Sequence, residues 1–306
     1  FVSKKLFNLN LMETIPYDKR SGKIWFNSQL VDWKNANVHL LNHGLHYASC
    51  VFEGERVYDG EIFKLEEHTK RLFYSAKKMG IKMPYSEEEI NNASKEIIAI
   101  QKVKNGYVRP VVWRGSEMMA ISAQKNKIHV AIATWEWGSY FDPKLKLKGI
   151  KLNISSWRRP APNSVPWDTK ASGLYMICTI SKHEAESKGF TDSLMLDHEN
   201  NIAEATGANI FFKDDSGVLH TPIPDSFLDG ITRRCIIEIA KTKGIKILER
   251  KIKPEEMSNF VGCFLTGTAA ELTPVSQIDK YNFKVCDLIK NLSQSYQTLV
   301  RKKAAA

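Results

Sequence analysis

The sequence predicts an α+β protein of two domains, and two observations support that prediction. Strand-like and helix-like segments are mixed in both halves of the 306-residue chain, which is long enough for one large or two medium domains. Between Gly138 and Lys148 the pattern breaks, with Pro143 and several lysines, as is typical of a linker. We therefore predict a smaller domain over 1–140, a linker over 141–149 and a larger domain over 150–306.

The predicted structure begins with two hairpins. Lys23–Phe26 and Gln29–Val31 are short strands on either side of a turn at Asn27-Ser28. The segment 57–63 forms a second hairpin because Asp59-Gly60, a strong turn signal, divides it.

Two helices and two strands complete the smaller domain. Apolar residues recur at helical spacing over 66–80, and Gly80 ends that helix. Ser86 and Glu89 form a capping box that opens the second helix. The segments 106–113 and 127–135 are rich in Val, Ile and aromatic residues, which indicates strands.

The larger domain begins with an alternating strand. We predict strands at 150–154, 193–197, 209–212 and 263–265, with an Asn200-Asn201 turn between the middle two. Helices are predicted over 170–188 and 231–243, and Gly244 ends the second of them.

Composition argues against several protein classes. A hydrophobic content of 43% and a charged content of 25% are ordinary for a globular protein. The five cysteines are an odd number without CxxC spacing, which argues against a disulfide framework and against a zinc site. They are Cys50, Cys178, Cys235, Cys263 and Cys286. We predict reduced, mostly buried thiols, no metal site and a cytoplasmic location.

The distribution of apolar and basic residues bears on partners. No run of about 18 apolar residues occurs, so no membrane span is predicted. The segment 1–20 lacks the long apolar core of a signal peptide. The net charge of +10 comes from scattered basic residues, without a stripe interleaved with aromatics. We therefore expect a solvated basic surface without a nucleic-acid partner, and pockets suited to phosphate and carboxylate ligands.

Four short motifs carry the functional prediction. In chain order they are Ser-Val-Pro-Trp-Asp-Thr-Lys-Ala-Ser-Gly-Leu-Tyr (164–175), Asn-Ile-Ala-Glu-Ala-Thr-Gly-Ala-Asn (201–209), Leu-Asp-Gly-Ile-Thr-Arg-Arg (228–234) and Thr-Gly-Thr-Ala-Ala-Glu-Leu-Thr-Pro (266–274). Together they resemble the lysine, the ring-nitrogen carboxylate and the two phosphate loops of fold-type IV pyridoxal-phosphate enzymes. From about Gly22 to about Asp279 the chain is similar to the branched-chain amino-acid aminotransferases of that group.

The resemblance implies pyridoxal phosphate as the cofactor and assigns three side chains to its ring. Lys170 is the amine that links to the cofactor aldehyde and later moves the substrate proton, which requires a lowered pKa. Glu204, 34 residues further on (204 − 170), keeps the ring nitrogen protonated, and Tyr175 bonds the phenolic oxygen. Taken singly, each has a plainer explanation: a surface lysine, a solvated carboxylate in a turn and an ordinary core tyrosine.

The resemblance also implies how the phosphate is bound. Gly230-Ile231-Thr232 opens a helix whose free N–H groups and dipole favour an anion, and Gly267-Thr268 forms a second turn with a hydroxyl. Arg71 matches the family's phosphate arginine, although an exposed helix arginine is the plainer interpretation. Asp229 is a candidate N-cap of the same helix, which is a competing role for this turn.

Side chains of the smaller domain are implied to select the substrate. Tyr107 and Arg109 lie on the same side of a strand and match the pair that, in the family, receives the side-chain carboxylate of glutamate. Arg109 would be a switchable partner, so that the same pocket also holds leucine, isoleucine or valine between aromatic walls. The candidate walls are Tyr47, Phe52, Trp137 and Tyr140, and the α-carboxylate is expected at the N–H groups of Thr268 and Ala269.

The leading hypothesis is reversible transamination of L-leucine, L-isoleucine or L-valine with 2-oxoglutarate. D-amino-acid aminotransferases and aminodeoxychorismate lyase share the cofactor motifs, and Tyr107-Val108-Arg109 together with 266–271 favours the branched-chain enzyme over both. The intact cofactor set argues against a third hypothesis, a basic binding protein on an inactive scaffold. The preferred branched side chain, the tolerance of aromatic substrates and the metabolic direction are left open.

The resemblance further implies an obligate homodimer or an assembly of dimers. The site would lie at the boundary between the two domains and a neighbouring subunit, and the segment 119–121 is expected to reach across that boundary. The remaining expected partners are amino acids and 2-oxo acids.

Overall fold

Two β-sheets organise the residues that this computed structural model describes, which are 15–138, 140–141 and 148–301. The first sheet has seven strands in the order β2-β1-β7-β6-β4-β5, with β3 paired to β6. Their bounds are β1 Lys23–Phe26, β2 Gln29–Asp32, β3 Cys50–Phe52, β4 Glu55–Tyr58, β5 Glu61–Ile62, β6 Gly106–Arg114 and β7 Ile128–Glu136. The accompanying helices are α1 His43–Tyr47, α2 Leu65–Lys78 and α3 Glu87–Ile100.

The first sheet is antiparallel throughout and is covered by α2 and α3. The two helices bury Leu72 and Ile97 in one core with Val57, Val108 and Val112 of the sheet. This packing holds α2, which carries Arg71, against β3.

The elements predicted for the first half are confirmed with small changes of bounds. Asn27, Ser28 and Asp59 have positive φ angles of 49°, 65° and 52°, which suit the tight hairpin turns predicted there. The capping box of α3 is also present. Glu89 N donates to Ser86 Oγ at 3.2 Å, and Ser86 N donates to Glu89 Oε2 at 2.7 Å. The short helix α1 was not predicted.

The second sheet has nine strands, in the order β10-β9-β8-β15-β14-β11-β12-β13 with β16 paired to β15. Their bounds are β8 Ile150–Arg158, β9 Asp192–Leu196, β10 Ile202–Ala205, β11 Asn209–Asp214, β12 Leu219–Thr221, β13 Ile247–Glu249, β14 Phe260–Gly267, β15 Glu271–Ile278 and β16 Tyr281–Asn282. Among the described residues, three α-helices accompany it, which are α4 Met176–Ser187, α5 Ile231–Thr242 and α6 Asp287–Val300.

Six strands of this sheet close into a barrel, because β10 pairs with β11 as well as with β9. Side chains alternate along the strands, so that residues such as Leu152, Ile210 and Leu265 share one core while Phe211 and Phe264 share another with α5 and α6. The barrel is thus filled by apolar side chains.

The helix predicted over 170–188 begins later than predicted. Ala171 is bridged to Val51, and Phe52 N donates to Lys170 O at 3.2 Å, so this segment is extended beside β3. A 3-10 turn over Ser172–Tyr175 follows, and α4 begins at Met176. Pairing with the distant strand overrides the helical spacing that the sequence shows locally.

The strand β10 was not predicted from the sequence. It lies between the strands predicted at 193–197 and 209–212, so the Asn200-Asn201 turn leads into β10 and not directly into the next predicted strand. The four residues of β10 are all buried. A carboxylate on this strand, Glu204, is therefore not the solvated turn residue of the plainer interpretation.

The change from the first sheet to the second falls between β7 and β8, that is, after Glu136 and before Ile150. Most of the predicted linker, at 142–147, lies outside the described residues, as do 139, 1–14 and 302–306. The division into domains at 140 and 150 therefore stays a prediction.

The cysteine prediction is confirmed. All five thiols are free, with Cys178, Cys235 and Cys263 buried and the other two half-buried. Across the part of the chain that the structure describes, no helix has both the length and the apolar character needed to cross a membrane.

Candidate active site

A cavity lined by residues of both halves brings together every residue that was predicted for the cofactor. Those residues are Arg71, Lys170, Tyr175, Glu204, Gly230, Ile231, Thr232, Gly267 and Thr268. Tyr107 and Ala269 of the predicted substrate set line it as well. We call this space the central cavity.

Lys170 lies in the central cavity with its amine beside two aromatic rings. Lys170 Nζ donates to Tyr175 Oη at 2.7 Å and lies 5.0 Å from the centroid of the Phe52 ring. Burial lowers the pKa of Lys170, against the opposing charge of Glu53. Since only the neutral amine is a nucleophile, a lowered pKa makes this lysine fit to attack an aldehyde.

Glu204 enters the central cavity from β10. Asn209 Nδ2 donates to Glu204 Oε2 at 3.3 Å, and Arg159 Nε lies 3.5 Å from Glu204 Oε1. Burial raises the pKa of Glu204 to about 7, and the charges of Arg159 and Lys170 oppose that rise. The carboxylate is thus held from two sides and is suited to face a protonated ring nitrogen.

The N-terminus of α5 forms an anion site at another part of the central cavity. No side chain caps this helix at Gly230, so the N–H groups of its first turn, at Ile231 and Thr232, keep their capacity to bind an anion. Gly230 is needed there because a Cβ would lie 2.2 Å from Asn209 Oδ1. The geometry matches a phosphate group.

Asp229 does not cap α5, so the prediction of an N-cap at this position is wrong. Its carboxylate instead accepts from Arg233 Nη1 at 2.9 Å and from Arg234 Nη1 at 3.4 Å. The N-cap residue is Gly230. Two guanidinium partners from the first turn outcompete the backbone for this carboxylate.

Asn209 connects the ring-nitrogen end of the cavity to the anion site. Its Nδ2 donates to Glu204 and, at 2.9 Å, to Leu228 O, while its Oδ1 accepts from Gly230 N at 3.1 Å. No role was predicted for Asn209, although it ends one of the four motifs. The sequence signal that could have indicated a role for Asn209 is its place in the same motif as Glu204, five residues further on.

Arg71 is held by Glu53, a residue that was not predicted to belong to the site. Arg71 Nε and Nη2 donate to Glu53 Oε1 and Oε2 at 2.6 and 3.0 Å, and His68 Nδ1 lies 2.7 Å from Oε2. Burial works to raise the pKa of Glu53, but Arg71 and His68 outweigh it and hold that pKa well below its ordinary value. Since Nη1 takes no part in these bonds, Arg71 can also bind an anion in the cavity.

Glu55 is a second buried carboxyl, two residues after Glu53. It is fully buried, and neither of its oxygens has a hydrogen-bond partner among the described residues. Burial and the charge of Glu53 raise the pKa of Glu55 well above its ordinary value, and Arg71 only partly opposes them. The surroundings in the folded chain therefore favour the neutral form of Glu55.

Replacing Glu55 with methionine is expected to stabilise the fold, with a gain that grows from pH 5 to pH 8. Below the ordinary pKa of 4.5 the acid is neutral in both states. Above it the unfolded chain releases the proton and the folded chain does not, so the native sequence loses stability as pH rises towards the folded pKa. Urea unfolding across this range measures the gain, with the exposed Glu88→Met as control. A gain that is the same at every pH would contradict the expectation.

A side pocket adjoins the central cavity and contains most of the predicted substrate residues. It is lined by Phe52, Tyr107, Arg109, Trp137 and Tyr140, and it shares Lys170, Tyr175 and Ala269 with the central cavity. The Tyr107 and Trp137 rings meet edge to face at 4.7 Å, and Trp137 meets Tyr140 at 5.8 Å. These aromatic walls beside a lysine can enclose an aliphatic side chain.

Arg109 lines the side pocket together with two lysines, Lys170 and Lys182. Its guanidinium carbon lies 4.6 Å from the centroid of the Phe52 ring, and Nη2 donates to Tyr107 Oη at 3.3 Å. Its Nε has no hydrogen-bond partner among the described residues. Gly54 leaves room for this pair, because a Cβ there would lie 1.7 Å from Tyr107 Oη.

Tyr47 and Thr268 do not line the side pocket, unlike the other predicted substrate residues. Tyr47 lies apart from both spaces within one chain, with its side chain 42% exposed and its hydroxyl donating to Met119 O at 3.2 Å. Thr268 and Ala269 lie in the turn between β14 and β15 and line the central cavity, where their N–H groups could receive a carboxylate.

The residues present fit pyridoxal phosphate. An uncapped helix start with Arg71 suits the phosphate, the buried carboxylate of Glu204 suits the ring nitrogen, and Lys170 with Tyr175 suits the aldehyde end. The side pocket adjoins that aldehyde end, as a substrate pocket must.

Comparisons with known proteins agree with this geometry. The family Amino-transferase class IV matches residues 50–278. The probable branched-chain-amino-acid aminotransferase of Rickettsia bellii (strain RML369-C) is 44% identical over 282 residues, which are 91% of this chain and 96% of that protein.

Solved structures give the same result. A T.th. branched-chain amino acid aminotransferase with pyridoxamine 5'-phosphate has a TM-score of 0.89 and 35% identity, covering 92% of this chain and 96% of that one. The T.th. enzyme complexed with N-(5'-phosphopyridoxyl)-L-glutamate has a TM-score of 0.87 and 34% identity, covering 92% of this chain and 95% of that one.

Proposed function

This chain belongs to the class IV aminotransferases, which have fold type IV and use pyridoxal phosphate, and within them to the branched-chain amino-acid aminotransferases; on that premise we propose its substrates. It exchanges the amino group between L-leucine, L-isoleucine or L-valine and 2-oxoglutarate, giving the branched 2-oxo acid and L-glutamate. The observation that carries the proposal is the side pocket, in which Arg109 stands among aromatic walls beside Lys170.

Transamination consists of two half-reactions, and each residue of the central cavity has its own role in them. Pyridoxal phosphate, when bound, supplies the electron sink and carries the amino group between the two substrates. Lys170 holds the aldehyde end and moves the proton at the substrate α-carbon, for which its lowered pKa is suited. Glu204 stabilises the protonated ring nitrogen, and Arg71 with the start of α5 binds the phosphate.

Arg109 explains how one pocket can take both an apolar and an acidic side chain. With a branched-chain substrate, the guanidinium stays stacked near the Phe52 and Tyr107 rings, where their π-electrons stabilise its charge. With glutamate, its Nε has the capacity to bind the side-chain carboxylate, together with Tyr107 Oη. The glutamate adduct of the similar T.th. enzyme supports this second mode.

Replacing Arg109 with methionine is expected to separate the two substrates. The half-reaction with L-glutamate should slow by about 10- to 100-fold, because a charge-assisted hydrogen bond is worth about 1.5 to 3 kcal/mol. The half-reaction with L-leucine should change by only a few-fold, since methionine keeps an apolar wall. Stopped-flow rates of both half-reactions measure this, and leucine serves as the internal control. Equal losses with both substrates would reject the switchable role of Arg109.

We also propose that the enzyme is a homodimer or an assembly of dimers. An open apolar groove is lined by Val38, Leu45 and Met176, which are 53%, 64% and 65% exposed. The groove continues to Arg109 and Tyr175, so a second copy seated on it would close the side pocket from outside. This arrangement would also give the exposed Tyr47 and the segment 119–121 a place at the site of the neighbouring subunit.

Light scattering tests the dimer. The native chain is expected at twice its monomer mass or a multiple of it, and Leu45→Glu with Met176→Glu is expected to yield monomers with reduced activity. A fully active monomer would refute the proposal.

A further inference from the structure

Arg159 is a buried cation that no sequence motif singled out. It directly follows β8, and its backbone N–H donates to Leu196 O of β9 at 2.8 Å, so its place is fixed by the barrel. Its side chain is 5% exposed. A guanidinium that is buried away from water is stable only beside an opposite charge or enough hydrogen-bond acceptors. The neighbours of Arg159 therefore indicate its role.

Glu204 is the carboxylate that faces Arg159, with 3.5 Å between Arg159 Nε and Glu204 Oε1. That Nε has no hydrogen-bond partner among the described residues, and Nη1 lies 3.6 Å from Cys178 Sγ, a weak acceptor. Both Arg159 and Glu204 line the central cavity. The main favourable interaction of this cation is therefore the charge of Glu204.

We propose that Arg159 is a positioning residue for transamination: its guanidinium fixes the place and the charge of the Glu204 carboxylate at the central cavity. The inference rests on the cofactor role proposed above for Glu204. Arg159 acts through that carboxylate, while Asn209 holds the other carboxylate oxygen. Together they hold the two oxygens of the Glu204 carboxylate at the central cavity.

The charges around Glu204 show why a fixed cation matters. The groups that face it are Arg159 after β8, Lys170 and Tyr175 before α4, Cys178 on α4 and Asn209 on β11. Burial raises the pKa of Tyr175, and raises that of Cys178 to about 11, so both are neutral near pH 7.

Arg159 is the larger of the two opposing charges that bring the pKa of Glu204 down to about 7, ahead of Lys170. Removing Arg159 raises that pKa further, so a higher pH is needed to ionise the carboxylate. A carboxyl that stays neutral cannot stabilise a protonated ring nitrogen.

A double-mutant cycle tests the proposal. The variants are Arg159→Met, Glu204→Gln and the double variant, measured by titration of the cofactor-free proteins with pyridoxal phosphate. Arg159→Met is expected to weaken binding about tenfold and to move the acidic limb of the leucine half-reaction up by about one pH unit. The double variant should bind no more weakly than Glu204→Gln alone, because Arg159 acts through Glu204. Arg158→Met, an exposed neighbour, should match the native chain.

The conservative variant separates positioning from folding. Arg159→Lys keeps the charge and is expected to retain most of the affinity and the native pH profile, whereas Arg159→Gln is expected to behave like Arg159→Met. Additive losses in the cycle, or an unchanged pH profile in Arg159→Gln, would overturn the proposal. Failure of the native chain to convert leucine would instead reject the proposed function, since the cofactor titration does not depend on the substrate.

Discussion

Replacing Lys170 with alanine is expected to abolish transamination and leave the fold intact. In the function proposed above, the buried amine holds the aldehyde end of the cofactor and moves the substrate proton, and no other lysine among the described residues lines the central cavity. Loss of a proton-transfer group alone costs about 10² to 10⁴ in rate, so we expect a loss of about 10³-fold or more. Stopped-flow half-reactions with L-leucine and L-glutamate measure it.

The Lys170→Ala protein should still bind pyridoxal phosphate, because Arg71 and the start of α5 remain. Its visible absorption should then be that of the free aldehyde rather than of a lysine-linked cofactor. Lys188→Ala, at the exposed end of α4, is the matched control and should keep native rates. Activity of Lys170→Ala within tenfold of the native rate would remove Lys170 from the mechanism.

Replacing Glu204 with glutamine is expected to slow both half-reactions by about 10²- to 10³-fold. Glutamine keeps the size of the side chain and can still accept from Asn209 Nδ2, so the cavity keeps its shape. It carries no negative charge, and a protonated ring nitrogen beside it loses its counter-ion. The same loss for leucine and glutamate is expected, because the proposed partner of Glu204 is the cofactor and not the substrate side chain.

The Glu204→Gln experiment has a close control. Glu199→Gln changes a carboxylate in the exposed turn between β9 and β10 and should leave both half-reactions unchanged. Rates of Glu204→Gln within a few-fold of the native rates would mean that the ring nitrogen needs no carboxylate here. That result would reject the role proposed for Glu204.

Much of this candidate site could be predicted because most of its residues lie in short continuous segments whose sequences are recognisable by themselves. The residues predicted for the cofactor lie mostly in four short continuous motifs, so their resemblance to a known family could be recognised without knowing which strands pair. The hairpins and the capping box of α3 are local in the same sense, which explains why their positions were predicted correctly.

The partners that hold the site were missed because they come from far along the chain. Arg159 meets Glu204 only when β8, β9 and β10 pair in the barrel, and β10 itself was not predicted. Glu53 meets Arg71 only when α2 packs against β3 and β4. Hydrophobic spacing describes each element but does not say which buried charges will face one another.

The most direct test of the proposed substrates is a panel of half-reactions with the purified native enzyme. L-leucine, L-glutamate, D-alanine and D-glutamate are mixed with it separately, and conversion of the cofactor from its pyridoxal to its pyridoxamine form is followed by absorbance. We expect conversion by L-leucine and L-glutamate and none by the D-amino acids. Conversion by the D-amino acids alone would contradict the roles proposed for Tyr107 and Arg109. The proposed cofactor site would not be affected by that result.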